Sequence, residues 1–334
     1  MDTVGFAPEP VCGRGTVGIV WGCLATMFFV VWTVLHPDYR PKMSRVMWGV
    51  CVIVMPEAMP ALAIKQLLLA RQVQRRLRSI RGWESWTMEQ SFLIVKNGVK
   101  LKGSGDLLTA ERLVELAEQA QQKHRVDIHI DMLPQKEQID RRSKKSWLEK
   151  IIAGGQALWF STSIMSRLVG GYQVTLLEVI TIAYACCGLV AMMAWFRCPQ
   201  DINDPFEIDL RTVAALTRKG GVRTCFREIL VDRCTSGLVI LSLLMVTGIH
   251  LSAWQYPFPS MAEAWIWRSC SMAMLPFGSL IVYFNGRNTL LVTCPLYIIA
   301  RFALLTVACT AFRRVPPSAF DTPNWSNYWG HIGN

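Results

Sequence analysis

Seven apolar runs, each close to the length a helix needs to cross a bilayer, divide this chain. Spanning the hydrocarbon core takes about 20 mostly apolar residues. The runs cover roughly residues 15–35, 46–70, 151–169, 174–196, 237–254, 268–284 and 289–312. The third and sixth are short and carry Gly, Ser and Thr, which suits spans packed inside a bundle, where small residues let helices approach. The pattern predicts an all-α integral membrane bundle of about seven transmembrane spans, forming one membrane domain over residues 1–334. Residues 71–150 are expected to be a basic cytosolic or interfacial insertion. The first run follows a segment with Asp2, Glu9 and a single basic residue, Arg14. That segment lacks the basic flank and small-residue cleavage site of a signal peptide, so the run reads as a retained span. Insertion in the endoplasmic reticulum or a related membrane is expected.

Charge sets the expected orientation. The net charge is +11, and 26 of the 35 Lys and Arg fall on one side of a seven-span arrangement. Residues 71–150 hold 17 of them and residues 197–233 hold seven. The positive-inside rule then predicts a cytosolic N-terminus and a lumenal C-terminus. The basic excess reads as topology and contact with anionic lipid, not as a nucleic-acid surface.

The eleven cysteines are scattered and form no C-x-x-C pair. Neither a disulfide framework nor a zinc site is expected. Residues 83–101 are rich in aromatic and apolar side chains and suggest an interfacial or re-entrant segment. Residues 126–132 alternate apolar and polar side chains and predict a short half-buried strand or an extended lid. His124, Asp127, His129 and Asp131 there have metal-ligand chemistry, but they also fit the solvated side of that strand. Asp201, Asp204, Glu207 and Asp209 cluster in a second loop, without the spacing of an aspartate-rich diphosphate motif. No cofactor is implied.

Two acids stand in the apolar runs. Glu57 lies between Pro56 and Pro60, and Glu178 lies in the fourth run. A carboxyl there is costly, so it is paired, protonated or put to use. The prolines remove backbone donors, predicting a kink and free carbonyls, and broken helices of this kind often line cavities. A neutral acid in an apolar cavity is what protonation of an olefin or epoxide requires. The competing reading is structural: Glu57 paired with Arg301, and Glu178 with Arg167. A paired acid is a poor proton donor. His250, near the end of the fifth run, could relay a proton or simply sit at the interface.

Several stretches resemble a large family of fungal multi-span membrane proteins. They are GTVGIVWGCLATMFFVVWTVLHPD, WTMEQSFLI, IDRRSKKSWLEKIIAGGQALWF, QVTLLEVITIAYACCGLVAMMAWFRCPQDI and the tail PPSAFDTPNWSNYWGHI. Within it, the chain is similar to membrane-bound terpene cyclases of the ascochlorin, ascofuranone and macrophorin type. The resemblance implies proton-triggered cyclisation of a farnesyl-type chain on an aromatic or quinone-like head, without diphosphate loss and without a metal. It implies catalytic roles for Glu57 as proton donor and for Glu178 as a second acid, with Asp201 a further candidate. Glu89 stands where many relatives carry His, and becomes a candidate acid if its segment enters the membrane. Two other readings stay open on the residues alone: a non-enzymatic scaffold or receptor-like protein, and a proton-coupled transporter.

Overall fold

The computed structural model describes residues 4–10, 13–34, 45–102, 105–123, 128–143, 147–200, 202, 204–209, 233–283 and 287–322. In chain order it contains α1 (Thr16–Val34), α2 (Arg45–Val54), α3 (Ala58–Arg78), α4 (Met88–Val95), β1 (Val99–Leu101), α5 (Ala110–Lys123) and α6 (Lys136–Arg142). There follow α7 (Trp147–Val169), α8 (Leu176–Ala194), β2 (Phe206–Ile208), α9 (Arg233–Ser252), α10 (Met261–Tyr283) and α11 (Arg287–Thr310).

Among the described residues, four stretches of helix are long and apolar enough to cross a membrane: α1, α8, residues 235–252 of α9, and 289–313. The paired helices α2 and α3 make a fifth if taken as one span. This is fewer than the seven expected. Helices α7 and α10 do form over the third and sixth runs, but charged residues, together with Gly, Gln, Ser and Thr, dilute their apolarity. Glu149, Lys150 and Arg167 lie in α7, and Glu263 and Arg268 in α10.

The run at 46–70 is broken more sharply than a kink. It is two helices that meet at 111°. The break falls at Pro56, whereas Pro60 sits in the first turn of α3, where a missing N–H leaves no intrahelical bond unmade. One freed carbonyl, that of Ile53, accepts from the Tyr184 hydroxyl on α8.

Helix packing uses small residues at two crossings. A side chain at Gly188 of α8 would collide with Val30 of α1, and one at Gly278 of α10 would meet Leu243 of α9 at 2.8 Å. Around these crossings a core of Ile19, Cys23, Leu177, Ile180, Leu243 and Trp267 joins the helices.

The expected insertion is a small cap with its own core. Leu77, Trp83, Trp86, Leu93, Leu113 and Phe206 pack together there. Trp86 is buried and donates its indole N–H to Ser91 Oγ at 2.8 Å. The cap is not purely helical. Strand β1 pairs with β2 in parallel, with Val99 opposite Phe206 and Leu101 opposite Ile208, so the two basic loops are stitched together. The strand expected over 126–132 is not found: Ile130–Met132 forms a 3-10 turn, and Val126 and Asp127 lie outside the described residues. Residues 83–101 contribute α4 and β1 to the cap, and the capping box between Thr87 and Gln90 starts α4.

The terminal segments meet at one end of the bundle, where the sequence reading placed them on opposite sides. Val4 and Val315 exchange backbone bonds of 2.9 and 2.8 Å, and Arg14 donates to the Ala319 carbonyl at 3.0 Å. The far end carries the cap. There Lys150, in the first turn of α7, donates to the carbonyls of Phe196 and Cys198, just beyond the end of α8.

Candidate functional site

Helices α1, α2, α8, α9 and α11 enclose a cavity of about 740 Å³. Its size lies within the range of about 300–1,000 Å³ usual for small-molecule sites. Aliphatic and aromatic side chains make most of its wall. Leu24, Phe28 and Phe302 border it and are each more than half exposed, so it opens outward between α1 and α11. Its polar side chains are few: Thr16, Tyr184, His250 and Arg301, with the thiol of Cys309.

Glu57 occupies the α2–α3 break and is fully buried. The Tyr297 hydroxyl donates to its Oε1 and the Arg301 guanidinium to its Oε2. Arg301 Nε also donates to the Tyr297 oxygen at 3.1 Å. Glu57 sits at the proline break, just before α3, and the α11 side chains reach its carboxylate there. Arg301 thereby faces Glu57 on one side and the cavity on the other. Glu57 itself does not border the cavity. The sequence marks Tyr297 only as one of many aromatics in the spans and not as a partner of Glu57, although it stands one helical turn before Arg301 and so shares its face.

Glu178 belongs to a different group. It is the N3 residue of α8, whose capping box pairs it with Thr175. Its Oε2 accepts from the Thr175 N–H and hydroxyl, both at 2.9 Å. Its Oε1 accepts from Arg167 at 2.9 Å and from Arg14 at 2.6 Å. Arg167 continues to the carbonyls of Gln173 and Ala319. The T-x-x-E spacing at Thr175–Glu178 is a helix-start signature legible in the sequence, and it explains this acid without chemistry. Nearby Tyr256, in the link between α9 and α10, is buried. Burial first, and then the Glu178 carboxylate, push its phenol up, so it stays protonated.

The remaining expected site residues are not brought together. Glu89 lies in the first turn of α4 and borders a polar basin with Arg78, Lys136 and Asp140 at the cap, away from the apolar cavity. Asp201 lies outside the described residues, as do His124 and Asp127. Among the described residues, no three His, Cys, Asp or Glu side chains cluster in a way that could hold a metal ion.

Both weighed ion pairs are therefore present, and each is larger than a pair: a Glu57–Tyr297–Arg301 group beside the cavity and an Arg14–Arg167–Glu178 group at the terminal end. No curated protein and no solved structure matches the chain. Residues 1–219 match a family described as a family of unknown function (DUF8562). The match takes in Glu57 and Glu178 but stops short of Arg301, Tyr297 and His250. Because it covers well over half of the chain, the protein belongs to this family of unknown function.

Proposed function

We propose that this protein is a membrane-bound terpene cyclase that folds and closes the prenyl chain of a meroterpenoid precursor. The observation that carries this reading is the cavity: a hydrocarbon-lined space that opens outward between two apolar helices and ends on a charged group. A farnesyl-type tail would enter it from lipid. Ring closure forms σ bonds from π bonds, so the protein mainly has to hold a folded chain and exclude water. Arg301 is the hydrogen-bond donor at the wall that would polarise an epoxide oxygen. Glu57 accepts from both Arg301 and Tyr297 and so positions Arg301, and the Tyr297 hydroxyl is the proton-bearing group behind it. Glu178 is assigned to the fold and not to the chemistry.

The test is product analysis of membranes expressing this chain, supplied with farnesylated phenols with and without a terminal epoxide. A new isomer of unchanged mass is expected, reduced at least about 100-fold by Glu57→Gln at matched protein level; one positioned group commonly contributes 10²–10⁴-fold. No isomer from any substrate would favour a second reading, a non-enzymatic ligand-binding or scaffold protein. The ion pairing of both acids speaks for that alternative.

The reading includes an orientation. Taking α1, α7, α8, α9, α10 and α11 as crossings and α2–α3 as a re-entrant pair gives an even number, which agrees with termini that meet. The cap region holds 17 basic residues in 71–150, against Arg14, Arg313 and Arg314 in the terminal segments. The positive-inside rule then puts the cap in the cytosol and both termini in the lumen of the endoplasmic reticulum. Glycosylation acceptor tags at both ends should be modified and a tag in the cap should not. Modification at only one terminus would restore an odd number of crossings.

A further inference from the structure

His250 lies on α9, fully buried, at the inner wall of the cavity. Its Nδ1 stands 2.7 Å from the Val246 carbonyl one turn earlier. A carbonyl only accepts, so Nδ1 carries the proton, and in the neutral ring Nε2 is a lone-pair acceptor. The ring is held in place: the Trp267 indole lies 5.7 Å away, centroid to centroid, and donates to the His250 carbonyl at 3.0 Å. Yet Nε2 has no hydrogen-bond partner among the described residues. The other strongly polar side chains of the wall each have a hydrogen-bond partner within the protein, and of these Arg301 is a donor only. Thr16 accepts from the Ala7 N–H, Tyr184 donates to Ile53, and Arg301 serves Glu57 and Tyr297.

A buried acceptor left unmade is unfavourable, and here the residue that bears it borders a space large enough for a ligand. We infer that His250 Nε2 is the recognition point for a hydroxyl group, so that the cavity takes a long-chain hydrocarbon bearing an O–H donor. The inference rests on the cavity being the substrate site of the proposed function and narrows its substrate class to alcohols, phenols and hydroquinones. A head group with only ether or carbonyl oxygens cannot satisfy Nε2 and would leave two acceptors facing each other.

The experiment needs no turnover. Binding of farnesol and of farnesyl methyl ether is measured with the full chain in lipid nanodiscs. The two probes share their hydrocarbon chain and differ in the donor. Farnesol is expected to bind about 10-fold or more tightly than the ether, the scale of an unsatisfied buried acceptor. In His250→Leu the preference should vanish while the ether still binds. Equal affinities in the unmodified protein, a preference that survives His250→Leu, or failure to bind either probe would overturn the inference. The comparison of the two probes on the unmodified protein stands even where the variant does not fold. Absence of cyclised product with the alcohol preference intact would remove the enzymatic reading and leave the recognition site.

Discussion

Arg301→Met is expected to lower stability by about 3–5 kcal/mol, the usual cost of leaving one member of a buried ion pair alone. Glu57 is fully buried and Arg301 nearly so. The carboxylate has no solvent-exposed surface, and Tyr297 is left as its side-chain donor. The same loss in the opposite sense follows from Glu57→Gln, which strands a guanidinium against hydrocarbon. The double variant Glu57→Gln/Arg301→Met should recover most of the loss, because an apolar or neutral replacement of a whole buried pair is often close to neutral. Heat-ramp aggregation in detergent, together with the amount of protein in membranes, reads all three. Simple additivity of the single losses would show that the two side chains do not compensate one another.

Glu178→Gln should be as severe, and its effect should be visible at a distance. The carboxylate is shared by two guanidiniums; without it, Arg14 and Arg167 face each other as like charges. A loss of about 3–5 kcal/mol is expected, together with release of the terminal segments that Arg14 and Arg167 tie to Ala319. Limited proteolysis should then cut near residues 4–15 and 311–322 in the variant but not in the unmodified protein. Arg14→Gln provides the contrast. Arg14 is partly exposed and Glu178 keeps Arg167, so about 1 kcal/mol or less is expected. Equal losses for the two variants would mean that Arg14, and not the buried pair, holds this end together.

The charge pairings were legible because a charge in an apolar run has few ways to be tolerated, and Arg301 and Arg167 were the cations at suitable depth. Glu57's surroundings were legible only in part. Two prolines announce a break, but their spacing does not say that Pro56 makes it, nor that the helices diverge by 111°. Counting residues 46–70 as a crossing gives an odd total that would separate the termini; the re-entrant pair of the proposed orientation gives an even total, which agrees with Val4 pairing with Val315. The prolines hinted at a cavity beside the break, but its size and walls were not legible, since they depend on how five helices tilt, and no periodicity records that. The cap's strands were missed for a different reason. Three residues are too few to show alternation, and their partners lie in another loop. Glu178 was read for its depth in an apolar run, whereas its spacing from Thr175 marked it as a helix start.

The parallel pairing of β1 with β2 also fixes the order of events during synthesis. About 100 residues separate the partners, and at about 5–20 residues per second β1 waits on the order of 5–20 seconds for its mate. Helices α7 and α8 are made in that interval and must settle before β2 emerges on the correct side. Until then the backbone groups of β1 along that edge are open to any passing strand. The nascent cap is therefore the stage at which a chaperone would be needed, and a ribosome stalled before residue 206 would leave it unfinished however well the preceding helices had inserted.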